Sequence, residues 1–180
     1  MRRHGWVSTV VVLVTLCSAP VFAATATSGS VPGNQLEKKV RHQLNMLPFF
    51  TVFDYVTFHM DGTKVILEGA VSRPWLKVDA ARAVKAVPGV TAVDNRIEAL
   101  PASVFDDQIR RAEFRAIYGN SVLSRYALGP YGPIRIVVKN GNVILEGYVS
   151  SQMDKNIAGM QAGLVPGVFS VTNDLKIDRS

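Results

Sequence analysis

Glu68 and Glu146 are the residues that most invite a chemical reading, because each stands in the same run, Val-Ile-Leu-Glu-Gly. Two carboxylates in matched settings could serve as an acid and a base if their surroundings held one protonated and the other ionised. No histidine or other partner recurs beside them, however. Strand alternation places them on the face opposite Leu67 and Leu145, so they read as solvated or interdomain carboxylates. His42 and His59 have no counterparts in the second run; the position 78 residues after His59 is Val137. No His/Asp/Glu group has the spacing of metal ligands. No Ser/His/Asp set, phosphate loop or dinucleotide fingerprint is present. Cys17 is the single cysteine, which excludes disulfides and a cysteine-based metal site. The sequence thus reads as a binding protein without catalytic residues, cofactor or metal.

The binding candidates are aromatic and basic. Trp75 with Lys77 sits where a strand hands over to a helix, and a tryptophan beside a lysine suits a lipid headgroup interface. Arg110, Arg111 and Arg115 form a basic helix face. Arg125, Tyr126 and Tyr131 lie in an irregular stretch, Asn120–Pro133, rich in glycine and proline. Long irregular stretches often carry function. Gly159 and Gly163, four apart, permit close approach of another element and suggest a packing face between two units. Nucleic acid is not an expected partner, since no aromatic residues interleave the basic ones on a sheet.

The formal charge is +6, and Arg2 and Arg3 supply two of those charges. The rest is even: residues 34–100 and 101–180 each hold nine basic and seven acidic residues. Mild basicity favours anionic partners without selecting one. Arg2, Arg3 and His4 precede an apolar run from Trp6 to Leu16, too short to span a bilayer, for which about 20 residues are needed. The run ends in Val21-Phe22-Ala23. Residues 1–23 therefore read as a secretory signal with cleavage after Ala23, the periplasm as the destination, and no membrane span in the mature chain. The alternative is lipidation at Cys17 as an outer-membrane lipoprotein, although Leu16 is not the small residue such a site wants. Residues 24–34 are small and polar and read as a flexible leader.

An internal repeat supplies the elements that would position these side chains. At a constant offset of 78, fifteen of the thirty-three positions from Val65 to Ile97 are identical in Val143 to Leu175. The chain therefore holds two copies of one unit, at 35–100 and 101–180. Each reads as helix, two strands, helix, strand. Asn34 is expected to cap the first helix with Glu37 as its reciprocal partner, and Leu36, Val40, Leu44 and Leu47 form its apolar stripe. In the second copy Ser103 caps, and the stripe is Phe105, Ile109, Ala112 and Ala116. Hairpin turns are expected at Asp61-Gly62 and Asn140-Gly141. The second helices start near Pro74 and Gln152. Their stripes are Leu76, Ala80, Ala83, Val84 and Val87 in one, and Met153, Ile157, Met160 and Leu164 in the other. The displacement predicts that the later helix rolls on its sheet. Gly69, Gly89, Gly147 and Gly167 read as structural, at strand ends and helix-ending turns. The expected fold is α+β: two αββαβ units, each a small three-stranded mixed sheet with two helices on one face.

Val65–Ser72 with Gly69, and Val87-Pro88-Gly89-Val90-Thr91-Ala92-Val93-Asp94-Asn95, repeated at Val143–Ser150 and Val165–Asn173, resemble the BON-domain family. In layout the chain is similar to osmotically inducible periplasmic proteins and two-domain envelope proteins. The resemblance implies a non-catalytic periplasmic protein that binds anionic phospholipid or envelope proteins in envelope maintenance or stress response. A protein–protein adaptor or chaperone-like module is the alternative.

Overall fold

The computed structural model describes residues 32–128 and 132–178. The signal segment with Cys17, the leader up to residue 31, and Tyr131 lie outside the described residues. The first unit runs α1 (Pro32–Asn45), β1 (Tyr55–Asp61), β2 (Lys64–Val71), α2 (Pro74–Lys85), β3 (Ala92–Asn95) and β4 (Glu98–Ala99). The second runs α3 (Val104–Tyr118), a 3-10 turn (Ser124–Leu128), β5 (Ile134–Lys139), β6 (Asn142–Val149), α4 (Gln152–Gly163), β7 (Ser170–Asn173) and β8 (Lys176–Ile177). In each unit a hairpin pairs antiparallel and the last strand adds in parallel to the hairpin's second strand. That last strand is broken once: β3 and β4 both pair with β2, and β7 and β8 both pair with β6. The α+β reading with two tandem units therefore holds.

Alternation divides each sheet into two faces. Val65, Leu67 and Val71 point into the first core with Leu36, Val40, Leu44, Leu76, Ala80 and Val84. Ile134, Ile136, Val138, Val143, Leu145 and Val149 do the same in the second core with Ile109, Ile117, Ala158 and Ala162. The helices of each unit thus cover one face. The other faces turn toward each other: Tyr55, Thr57, Glu68 and Ala70 share a cleft of about 570 Å³ with Val137, Ile144 and Glu146.

Several local expectations need correction. Helix α1 starts at Pro32, so Asn34 lies inside it, and Glu37 pairs with Arg41 one turn on rather than capping. The leader's last three residues accordingly belong to α1. The first hairpin turns at Gly62-Thr63, because Asp61 already pairs with Lys64. Only Gly62 takes positive φ there, whereas both Asn140 and Gly141 do in the second hairpin. The turns then match at the offset of 78. Helix α4 has not rolled. Its buried residues are Asp154, Ala158 and Ala162, which correspond in number to Leu76, Ala80 and Val84. Met153, Met160 and Leu164 are exposed. The sequence misled because an aspartate occupies a core position and methionines occupy surface positions. Likewise α3 buries Asp106, Ile109, Arg110, Glu113, Ile117 and Tyr118, while Phe105 is exposed and Ala112 and Ala116 are only half-buried.

Gly69 and Gly147 are structural for a defined reason. Both take positive φ, and a Cβ would fall on the Tyr55 carbonyl oxygen at one and on the Pro133 carbonyl oxygen at the other. Gly89 and Gly167 also take positive φ after their helices. The pair on α4 behaves differently from the expected packing face. Gly159 packs against Asn173 within its own unit, and a Cβ on Gly163 would meet nothing. Gly147→Ala should therefore lower unfolding free energy by about 3 kcal/mol or more. Gly163→Ala should raise it by about 0.5 kcal/mol. Urea unfolding of the two variants measures both.

Candidate functional site

The units are joined by the stretch between α1 and β1. Phe49 takes φ 61 after Pro48 and turns the chain away from its helix. Val52 then accepts a hydrogen bond through its carbonyl from the Ile136 amide at 2.8 Å, so the stretch lies along the edge of β5. Thr51 accepts from Arg135 Nη1 at 2.9 Å, and the Arg135 guanidinium stacks 4.9 Å from the Phe50 ring centre. Val52 and Phe53 pack against the second core. Asp54 anchors the near end: it is buried and accepts from the amide and hydroxyl of both Thr51 and Ser72. The Lys139–Glu98 ion pair adds a further cross-unit contact.

This junction builds a surface groove of about 340 Å³, lined by Val52, Phe53, Arg111, Phe114 and Arg115. Phe53 and Phe114 meet edge to face with centres 6.4 Å apart, and Phe114 lies 5.1 Å from Tyr118. Phe114 remains 43% exposed. The helical spacing of four puts Arg111 and Arg115 on one side of α3, and both are exposed. The result is an apolar slot bordered by two guanidinium groups.

Only part of the expected basic and aromatic set belongs to it. Arg110 is 4% exposed and donates through Nη2 to the Val138 carbonyl at 2.7 Å. It fastens α3 to β5 and presents nothing to a ligand. Arg125 and Tyr126 form an internal clamp: both bond to the Asp154 carboxylate, which Ser151 also contacts. The Tyr126 hydroxyl also accepts from the Ser150 amide at 2.8 Å. Burial acts to raise the Asp154 carboxyl, but hydrogen bonds from Tyr126 and Ser151 and the Arg125 charge outweigh it and hold it below the ordinary range. The long stretch thus serves in the second unit as Asp54 serves in the first, satisfying the amide that follows the second strand. Leu123 within it is buried in the core. Trp75 stands exposed at the start of α2, with Arg73 over its ring at 5.8 Å. Lys77 is half-buried, and its carbonyl accepts from Asn95 Nδ2 at 2.7 Å, as the Lys155 carbonyl does from Asn173. Those repeated residues tie each second helix to its edge strand.

Val52, Phe53 and Phe114 went unnoticed in the sequence, although Phe49-Phe50-Thr51-Val52-Phe53 is an apolar run following a helix-stopping proline. Glu113 was also missed. It is wholly buried, and neither carboxyl oxygen has a hydrogen-bond partner among the described residues. Burial pushes its carboxyl up to about 8. Glu68 and Glu146 do meet in one place, the cleft between the sheets. Glu68 contacts His59 at 3.3 Å and Arg96 at 3.7 Å. Burial, and then the charge of Asp174, raise the Glu146 carboxyl, with Lys176 and a Tyr55 hydrogen bond opposing. Among the described residues no group of three or more His, Cys, Asp or Glu could hold a metal ion, and no helix is long and apolar enough to cross a membrane.

The chain matches the model of the BON domain twice, over residues 33–101 and 106–179. Among solved structures it is similar to CdsD, a structural protein of the Type III secretion system of Chlamydia trachomatis. The identity is 14% and the TM-score 0.30, covering 81% of this chain and 94% of that one. A structure of the CdsD C-terminal domain gives 13% identity and a TM-score of 0.29, covering 79% and 97%. A search of curated proteins finds no match.

Glu113 and Asp154 make opposite predictions. A carboxyl raised on folding binds its proton more tightly in the native chain, so stability falls as pH rises from the ordinary value of 4.5 to about 8. The expected slope is about 1.4 kcal/mol per pH unit within that window. Glu113→Leu should remove it, which urea titrations at pH 5 and pH 8 resolve. Asp154→Ala strands Tyr126 and Ser151 and should cost about 2–3 kcal/mol at neutral pH. Its deficit should shrink as the pH falls below the ordinary carboxyl value of 3.8, where the unfolded chain takes up a proton that the native carboxylate still excludes.

Proposed function

The chain belongs to the BON-domain family, and from that premise we propose that it is an exported, non-catalytic protein that binds anionic phospholipid surfaces in the bacterial envelope. The carrying observation is the slot at the unit junction, where Phe114, Val52 and Phe53 lie between Arg111 and Arg115. An apolar groove bordered by guanidinium groups matches a lipid surface, with acyl chain or glycerol beneath and phosphate above. Each cation near an anionic surface contributes about 1 kcal/mol, so the pair supplies roughly a thirtyfold preference. The even mild basicity of both halves supports the same orientation without competing for it. On this reading residues 1–23 direct export, the mature chain works in the periplasm, and Trp75 with Arg73 is a secondary contact on the first unit.

Co-sedimentation tests the proposal. The protein should pellet with phosphatidylglycerol vesicles at low salt and much less with phosphatidylcholine vesicles, and sodium chloride should weaken the binding. Arg111→Glu with Arg115→Glu should reduce the anionic partition coefficient by about tenfold or more while the melting temperature stays put, since both side chains are exposed. Equal behaviour toward the two vesicle types, or binding untouched by the charge reversal, would overturn the lipid reading in favour of a protein partner.

A further inference from the structure

The outer face of α4 bears apolar side chains that its own unit does not use. Met153, Ile157, Met160 and Leu164 follow at steps of four, three and four, which gathers them in an arc of about 60° at the helical pitch. Asp154, Ala158 and Ala162 already face the core, so the stripe points away from the sheet. Ile157 packs partly against the core, but Met153 is 69%, Met160 63% and Leu164 73% exposed. The other exposed residues of the helix, Gln152, Asn156 and Gly163, are uncharged. The first unit supplies an internal control. The offset of 78 sets Trp75, Asp79, Arg82 and Ala86 at the same four positions, and Asp79 pairs with Arg82 at 2.8 Å. The scaffold therefore accepts charge on this face of its second helix, and the continuous apolar stripe is a property of α4.

The surroundings of the stripe decide what covers it. Gly159 and the Lys155 carbonyl lie against Asn173 on β7. The opposite side of α4, with Ile157, thus turns toward α3, its neighbour in the helix layer. On α3, Phe114 meets Phe53 at the unit junction, which leaves the exposed Arg111 and Arg115 on the outer surface between the junction and α4. Packed helices lie about 8–10 Å apart, so a flat surface resting on the stripe also reaches both guanidinium groups. The exposed acid of α3, Asp107, is paired with Arg110 at 2.5 Å. A second copy of the chain docked through this face would bring another arginine pair to the same surface. An anionic bilayer instead offers phosphate to the arginines and hydrocarbon to the methionines. No charged group on the exposed side of α4 has to lose its water as the helix sinks.

We infer that α4 lies along an anionic membrane with Met153, Met160 and Leu164 sunk below the phosphates that Arg111 and Arg115 hold. The inference rests on the lipid reading proposed above, and adds to it the element that enters the bilayer and the orientation of the second unit. An apolar helical stripe laid in the interface plane gains affinity from both buried area and the attraction of nearby cations to anionic lipid. Unbranched methionine side chains adapt their shape to such an irregular environment.

A nitroxide label at Met160→Cys, in the full chain carrying Cys17→Ser, measures the depth. With phosphatidylglycerol vesicles the label should become accessible to oxygen and lose access to a water-soluble nickel complex. With phosphatidylcholine vesicles it should stay aqueous, and a label at the twin position, Arg82→Cys, should stay aqueous with both. Met153→Gln, Met160→Gln and Leu164→Gln together should lower partition into phosphatidylglycerol by about tenfold or more. The melting temperature should not change, since all three side chains are exposed. The loss should persist at high salt, where the attraction of Arg111 and Arg115 is screened. An aqueous label at 160 on a chain that sediments with phosphatidylglycerol overturns the insertion and leaves the lipid reading standing, as does normal partition of the triple variant. Failure to bind phosphatidylglycerol at all overturns both. Label–label broadening that grows with protein concentration in the absence of lipid overturns the insertion in favour of a second copy covering α4.

Discussion

A three-stranded sheet backed by two helices always has a face left over. In a domain of this size that face is a large share of the apolar surface, and small cores are marginal when left alone. Here the two uncovered faces line a shared cleft, and Val137 and Ile144 lie there with Tyr55 and Ala70. The bridging stretch from Phe50 to Asp54 closes one side of the junction, with the Val52–Ile136 hydrogen bond occupying part of the β5 edge. The slot between Arg111 and Arg115 exists because that stretch crosses over. Of its apolar lining, Val52 and Phe53 belong to the first unit and Phe114 to the second.

Duplication has left one scaffold with two internal chemistries. Leu76 sits fully inside the first core, and the matching Asp154 is equally inside the second, held by Arg125, Tyr126 and Ser151. Leu44 lies in the apolar stripe of α1, whereas Glu113 lies in the buried stripe of α3 with no partner among the described residues. Replacing a leucine by a carboxyl costs stability unless hydrogen bonds restore what burial removes. Asp154 has that compensation and Glu113 does not, so the two carboxyls move in opposite directions from their ordinary values.

The repeat, the element order and the first core were legible because they rest on identity and periodicity. Val65, Leu67, Leu76, Ala80 and Val84 fall where alternation and helical spacing put them. The second unit was read less well wherever a polar residue enters the core. A pattern that counts apolar positions cannot place Asp154 inside, and it assigned Met153 and Met160 there instead. Arg110 looked like surface for the same reason; what buries it is a hydrogen bond to Val138, a partner 28 residues away. The slot was half legible. Arg111 and Arg115 were named from charge and spacing, but Val52 and Phe53 join them only through contacts between the units, which neither repeat shows by itself.

The short hairpin turns carry a consequence for how the chain reaches this structure. The strands β2 and β6 share Val-Ile-Leu-Glu-Gly, so β1 would find an almost equivalent mate in the wrong half of the molecule. Each hairpin, however, joins its strands through two residues, and a contact that local forms far sooner than one spanning some eighty residues. Correct pairing is won by speed before the competing mate is within reach. The different loops, Gly62-Thr63 and Asn140-Gly141, then fix each strand's twist and register on its own terms. Near-identical neighbours in one polypeptide are prone to exchanging strands, and here the protection lies in the brevity of two turns.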